Sequence, residues 1–216
     1  MLTHNVGAKS IDLVVTGTSH VLEWNNASGS GAWDVNVSQN WSNRTTSAAM
    51  DYFFASDEVL FTDSIITAPN STTTVALSGA VSPSLTTVNS STNYTITGPG
   101  GISGGGGVVK QGSSTLTIAS TNNFTGPVAV QAGTVRVANN GALGLVPGGA
   151  VTVSAGATLD VGGNPTANNA NYGAKQIYVA GTGVGGNGAI INSGTVAQQN
   201  SFQRVTLTGD TTFGGP

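Results

Sequence analysis

The stretch Gly112-Ser-Ser-Thr-Leu-Thr-Ile118 decides the fold, because it returns twice further along the chain. It returns loosely as Ala132-Gly-Thr-Val-Arg-Val137 and again as Ala155-Gly-Ala-Thr-Leu-Asp-Val161. In each copy apolar and polar residues alternate after a Gly-containing turn, and a period of two is that of a β-strand with one inward and one outward face. The copies recur every ~20 to 24 residues, a period typical of a solenoid whose coils bury their apolar faces by stacking.

The same alternation runs through most of the chain after residue 64. Gly, Asn or Pro bounds nearly every alternating run, and no stretch shows a sustained period of 3.6, so helices should be few. About seven coils stacked at ~4.8 Å would make a rod body on the order of 30–35 Å long. The predicted strands are 74–78, 94–97, 115–118, 128–130, 134–137, 151–153, 158–161, 177–179 and 204–208.

Composition supports a narrow, ordered β-structure. The 216 residues include 32 Gly but only 6% aromatics, and 7% are charged, against about 25% in an average domain. A net charge of -3 with abundant Val, Ile and Thr argues against disorder. We therefore predict an all-β, right-handed, single-stranded parallel β-helix. The alternative is an antiparallel two-sheet sandwich, which would need hairpins and more large core residues.

Two regions separate along the chain. All three Trp, and every acidic residue except Asp160 and Asp210, precede residue 64. We expect a β-rich N-terminal cap or lead-in over 1–63 and β-helix coils over 64–216. The N-terminal segment lacks the apolar core of a signal peptide, no run approaches the ~18 apolar residues of a membrane helix, and the C-terminus shows no cap. These features predict a fragment of a longer exported chain.

One segment carries a family resemblance. Gly104-Gly-Gly-Gly-Val-Val-Lys-Gln-Gly112 leads through the Thr-Leu-Thr-Ile strand to Asn-Asn-Phe-Thr-Gly126, and Pro-Val-Ala-Val-Gln-Ala-Gly-Thr-Val-Arg-Val137 follows. This segment, about 104–137, resembles the autotransporter-associated β-strand repeat of bacterial passenger domains. Gln111, between Lys110 and Gly112, departs from the pattern, and so does Pro127, which replaces a usual Gly.

The resemblance implies a function as well as a fold. It implies an exported, extracellular or cell-surface bacterial β-helix that serves as a structural stalk or adhesin and has no family catalytic residues to carry over. The implied partners are glycans or proteins of host or neighbouring cells.

Catalysis and nucleic-acid binding have little support in the residues. A glycosidase needs two facing carboxylates, but between Ser64 and Gly209 the only acid is Asp160, and His is absent there. We place Asp160 outward as a solvated strand residue. The chain has no Cys, and no cofactor or metal site is predicted. Binding phosphates requires clustered basic residues, whereas the basic residues are scattered at Lys9, Arg44, Lys110, Arg136, Lys175 and Arg204.

Two clusters in the N-terminal region leave alternatives open. Aromatic rings at Trp24, Trp33 and Trp41 could fill the core of a capping module or line a sugar-binding platform. The acids Asp51, Asp57, Glu58 and Asp63 could be solvated turn residues or could supply oxygens to Ca²⁺, although their spacing fits no known loop pattern.

Three functions follow from these alternatives. The leading prediction is a non-catalytic stalk or adhesive segment. The second is a carbohydrate-binding or carbohydrate-active module that uses the N-terminal Trp and acidic residues. The third is an ice-binding face built from outward Thr rows, although Arg136 and Asp160 interrupt those rows.

Overall fold

The computed structural model describes residues 2–5, 10–13, 18–165 and 169–215. In this part of the chain nearly all regular structure is β-strand, apart from two short 3₁₀ turns at Asp63–Thr67 and Val184–Gly186. The strands stack into a β-solenoid of about 7 turns. No helix in the described ranges is long and apolar enough to cross a membrane.

Two large sheets form the sides of the solenoid. The larger sheet has nine strands. In chain order they are β3 (Val21–Trp24), β5 (Trp41–Asn43), β6 (Glu58–Thr62), β9 (Leu85–Asn89), β12 (Gly107–Gln111), β14 (Val128–Val130), β16 (Val151–Val153), β18 (Gln176–Gly181) and β20 (Arg204–Thr211).

The smaller sheet has eight strands, all parallel. They are β4 (Ala32–Trp33), β7 (Thr74–Leu77), β10 (Tyr94–Thr97), β13 (Thr115–Ile118), β15 (Thr134–Val137), β17 (Thr158–Asp160), β19 (Ile190–Ile191) and β21 (Phe213–Gly214). Two further pairs stand apart from the large sheets: β8 (Ala80–Val81) lies parallel to β11 (Gly101–Ile102), and β1 (Leu2–Asn5) lies antiparallel to β2 (Ser10–Leu13).

The register confirms the repeat read from the sequence. Thr115 pairs with Thr134, and Thr134 pairs with Thr158, so the three copies occupy the same place on successive coils. Within the two large sheets only β3 and β5 pair antiparallel among the described strands. The parallel β-helix is therefore confirmed and the antiparallel sandwich is wrong.

Small apolar side chains fill the lumen of the repeat coils. Val108, Val128, Val151 and Ile177 form one inward column of the larger sheet and are almost fully buried. Each such side chain contributes about 1.5–3 kcal/mol relative to an exposed position. Because a coil touches only its neighbours, this burial is gained only when the coils stack.

Gly133 shows how tightly the corners are packed. Its φ of 64° lies in the left-handed region, and a Cβ atom there would lie 2.4 Å from the Ser114 carbonyl oxygen and 2.7 Å from Lys110 Nζ. A side chain at this corner would therefore meet both an unfavourable backbone conformation and the coil below it.

Coils of different length close in the same register. One coil runs from Thr115 to Thr134, and a much longer one runs from Leu159 to Ile190. Most of the additional residues that the structure describes in the longer coil lie in the connections before and after β18. The parallel ladders therefore fix the strands while leaving the corner lengths free.

The first coils bury their large apolar side chains, whereas the last two strands leave several of theirs exposed. The ladder of the larger sheet extends back to β3 and crosses the predicted 63/64 boundary without a break, because β3 pairs with β6 and β6 with β9. On β20 and β21, Val205, Leu207 and Phe213 continue inward columns but remain substantially exposed.

Candidate functional surface

The three tryptophans lie inside the first coils. Trp24, Trp33 and Trp41 are each 0% exposed. The ring of Trp41 lies 5.1 Å from that of Trp24 and 5.4 Å from that of Trp33, measured between centroids, and both contacts are edge-on. Phe53 and Phe61 complete the cluster. The structure contradicts the sugar-platform alternative, because none of the three rings has an exposed face on which a sugar could stack.

The predicted acidic cluster does not converge on one point. Asp57 accepts hydrogen bonds from the backbone N–H groups of His20 and Phe54, at 2.8 and 2.9 Å. Asp51 instead accepts from Asn43 Nδ2 at 2.7 Å and from the Tyr52 N–H. These two carboxylates therefore fasten separate loops.

Asp63 holds the turn at 90–92 on the next coil. Its carboxylate accepts hydrogen bonds from the Ser90 hydroxyl, from both the N–H and the hydroxyl of Ser91, and from the Thr92 N–H. The Ser90 hydrogen bond, followed by those of Ser91, holds the pKa of Asp63 well below its usual range. Across the described residues, no three His, Asp or Glu side chains gather as a metal site. The Ca²⁺ alternative therefore has no assembled ligand set that includes Asp51, Asp57, Glu58 and Asp63.

A buried carboxylate that the sequence reasoning missed lies on β3. Glu23 is only 4% exposed, and its oxygens lie 2.5 Å from Arg44 Nη2 and 2.5 Å from the Thr62 hydroxyl, which donates to it. Burial alone would raise the pKa of Glu23, but the hydrogen bonds from Arg44 and Thr62 outweigh it and the pKa is lowered. This ion pair joins β3 to the loop that follows β5.

Two lysines lie inside the coils and form no ion pair with any carboxylate that the structure describes. Lys110 occupies the inward column between Val88 and Val130 and is 0% exposed. Its Nζ donates to the carbonyl oxygens of Gln111 at 2.5 Å, Gly112 at 2.9 Å and Ala132 at 3.4 Å. Burial lowers the pKa of Lys110 to about 8. Since Ala132 belongs to the next coil, Lys110 joins two successive corners.

Lys175 is the second buried lysine. Its Nζ donates to the Leu145 carbonyl oxygen at 3.1 Å and lies 5.9 Å from the centroid of the Phe124 ring. Burial lowers the pKa of Lys175 as well. The alternation rule gave no signal for either lysine, because it assigns inward positions to apolar residues.

The expectation that Asp160 is solvated is wrong. Asp160 does lie on the outward side of β17, but it is only 3% exposed. Its oxygens accept hydrogen bonds from the Gly162 N–H, the Ser193 N–H and the Ser193 hydroxyl, and Arg136 Nε lies 3.4 Å away. The corner that follows β19 therefore covers Asp160.

A shallow polar groove of about 430 Å³ lies on the outer face of the smaller sheet, beside Asp160. Two columns of outward side chains cross it: Thr95, Thr117, Arg136 and Asp160 are register neighbours on four successive coils, and Thr115 and Thr134 form the column beside them. Asn93, Ile191 and Ser193 line its margins. We name this surface the threonine groove.

The comparisons with known proteins agree with the repeat resemblance. Residues 108–137 match the family described as the passenger-associated-transport-repeat. The matched residues lie within the segment 104–137, so its resemblance to an autotransporter-associated repeat is confirmed. No solved structure matches the chain.

A similarity to one curated protein extends beyond that repeat. The chain is 35% identical over 143 residues to the "Adhesin BmaC autotransporter" of Brucella suis biovar 1 (strain 1330). The match covers 56% of this chain and 4% of that protein, so the chain spans only a small part of the length of this relative.

Proposed function

We propose that this chain is a non-catalytic stalk segment of a bacterial surface adhesin. The observation that carries the proposal is the pair of ladders that run through the molecule, with eight strands in one sheet and nine in the other, all parallel except the β3–β5 pair. The passenger repeat at 108–137 and the similarity to an autotransporter adhesin support a surface location and an adhesin-type role.

The ladders give the stalk a physical basis. Each coil exchanges backbone hydrogen bonds with the coil above and the coil below, and it buries its apolar column against both. A load along the axis is then shared among several hydrogen bonds at every coil boundary. The shaft contains no disulfide, since the chain has no Cys, so its stiffness must come from the ladders and the packed lumen.

The non-catalytic part of the proposal rests on how the acidic side chains are used. Asp51, Asp57, Asp63 and Asp160 each hold a loop or a corner through hydrogen bonds to backbone N–H groups. A glycosidase needs two carboxylates that face each other across a substrate. Carboxylates committed to separate corners are not free for that reaction.

A pulling experiment on the full chain tests the stalk. We expect extension through the termini to proceed in several steps, each releasing about one coil, because nearest-neighbour stacking makes the coils separable units. Val130→Asp places a charge in the lumen and should sharply lower the unfolding force. Ala129→Asp, on the outward side of the same strand, is the matched control and should leave the force nearly unchanged.

Two results would contradict the proposal. The stalk fails if the folded chain extends at low force without steps, or if the two variants behave alike. The non-catalytic role fails if the chain releases reducing ends from a polysaccharide panel and Asp57→Asn or Asp160→Asn abolishes that turnover.

A further inference from the structure

The hydroxyl groups of the threonine groove have no partners in the described protein. Thr95, Thr115, Thr117 and Thr134 are partly exposed, and their hydroxyls make no hydrogen bond within the described ranges. Thr158, the register neighbour of Thr134 on the next coil, differs, because its buried hydroxyl donates to the Gly188 carbonyl oxygen at 2.9 Å. Four adjacent free hydroxyls, each one donor and two acceptor sites, form a surface suited to a hydroxyl-rich ligand.

The charge that this groove offers to solvent is positive. The side chain of Arg136 is 39% exposed, whereas that of Asp160 is 4% exposed. Arg136 Nη2 donates to the Gly162 carbonyl oxygen at 2.7 Å and Nε lies 3.4 Å from Asp160, which leaves Nη1 without a hydrogen bond in the described structure. Asp160 is occupied by Gly162 and Ser193. A ligand in the groove would therefore meet a guanidinium edge and not the carboxylate.

Among the residues that the structure describes, Arg136 and Asp160 are the only charged ones on the strands of the smaller sheet. The guanidinium therefore stands among hydroxyl and methyl groups, and the charge nearest to it, Asp160, is buried and accepts hydrogen bonds from Gly162 and Ser193. A hydrogen bond between a guanidinium and a carboxylate is charge-assisted and stronger than one between neutral groups. Ile191 and the threonine methyl groups add apolar contacts at the groove wall.

We propose that the threonine groove binds a carboxylate-bearing saccharide chain. The sugar hydroxyls would exchange hydrogen bonds with the threonine columns, whose rungs are ~4.8 Å apart, and a uronate-type carboxylate would bind Arg136 Nη1. An ice surface fits less well, because the face is concave and carries an ion pair. The stalk role does not depend on this binding. The proposed saccharide site is the threonine groove and not the cluster of buried tryptophans.

Calorimetric titration of the full chain with two probes of equal length tests the ligand class. The probes are a galacturonic acid tetrasaccharide and a neutral galactose tetrasaccharide. We expect saturable binding of the uronate with a Kd on the order of 0.1–1 mM, and about tenfold weaker binding of the neutral chain. Raised salt should reduce this preference, because the carboxylate contact is partly exposed.

Variants of the groove test the location. Thr95→Val combined with Thr117→Val removes two hydroxyls, keeps β-branched side chains, and should weaken uronate binding about tenfold. Thr87→Val, on the outer face of the larger sheet, is the matched control and should change nothing. Arg136→Gln should bring the two probes to equal affinity, with a thermal unfolding curve showing that the coils remain folded.

The proposal has clear failing outcomes. Absence of saturable uronate binding up to about 10 mM, equal affinity for both probes in the unaltered chain, or full binding by the Thr95→Val, Thr117→Val double variant would each overturn it. The stalk role would survive all three, because it is measured by force and not by affinity.

Discussion

The first coils and the repeat coils fill the same kind of lumen with different side chains. The first coils use an edge-on aromatic cluster around Trp41, with centroid distances of 5.1–6.2 Å. The repeat coils use single aliphatic side chains, such as Leu116, Val135 and Leu159, that line up as register neighbours. The aromatic cluster depends on unique contacts, whereas an aliphatic column can be continued by any coil that keeps the register.

The largest expected effect separates these two regions. We expect Trp41→Ala to lower the free energy of unfolding by about 3–5 kcal/mol, because it leaves a large cavity among rings that cannot collapse around it. Hydrogen exchange should show the loss of protection confined to β3–β6. Leu116→Ala, at an estimated 2–4 kcal/mol, should instead expose the amides of β10, β13 and β15.

Val37 is exposed, so Val37→Ala is the control for Trp41→Ala and Leu116→Ala. It should change the free energy of unfolding by less than about 0.5 kcal/mol. If Trp41→Ala unprotects the repeat coils as fully as the first coils, the two regions form one cooperative unit and the contrast between them fails.

A smaller effect concerns Lys110, one of the polar side chains within the largely aliphatic lumen. Its pKa falls from 10.5 to about 8 on folding. Between these values the unfolded chain binds more protons than the folded chain, so this group makes stability rise with pH. Below about pH 8 both states carry the charge, and the full destabilisation from burying it is present.

We therefore expect the free energy of unfolding of the unaltered chain, measured relative to Lys110→Met, to increase by about 1–2 kcal/mol between pH ~8 and pH ~10. Urea unfolding of both chains at each pH measures the difference. Subtracting the variant removes the contributions of Tyr94 and Tyr172, whose pKa values are raised mainly by burial and which titrate in both chains. A difference that stays flat or falls over this range contradicts the assignment.

The smallest effect distinguishes the lumen from the outer surface within one strand. Thr86 points inward between Val59 and Val108, and its buried hydroxyl has no hydrogen-bond partner. Thr86→Val should stabilise the chain by about 1 kcal/mol, because it removes an unpaired buried polar group and keeps the shape. Its neighbour Thr87 points outward, so Thr87→Val should stay within about 0.5 kcal/mol in the same thermal melts. A destabilised Thr86→Val would show that a water or another partner satisfies the hydroxyl.

Local sequence pattern was sufficient to predict the ladder. The alternation around Thr115, Thr134 and Thr158 fixes which side chains face inward, and a period near that of a coil implies stacking, so the strands and their register were accessible without coordinates. The 63/64 boundary stays a prediction, because charge and aromatic content change there while the ladder of the larger sheet continues across it.

The groove and the buried charges depended on long-range contacts. Asp160 is covered by Ser193, which follows it in sequence by one long coil. A local sequence pattern cannot predict a contact between residues so far apart. The sequence pattern does not predict a buried Lys110. The structure shows its Nζ donating hydrogen bonds to three carbonyl oxygens inside the corner. The tryptophans could be identified as a cluster from sequence, but their burial required the first coils to be seen together.

The unequal coil lengths bear on how such shafts change over evolutionary time. A corner can gain or lose residues, as between Thr115–Thr134 and Leu159–Ile190, while the strands on either side keep their partners. Because lengthening a loop costs free energy only with the logarithm of its length, insertions and deletions at corners are weakly opposed by selection for stability. The surface that such a shaft displays can therefore diversify between lineages while its framework is inherited unaltered.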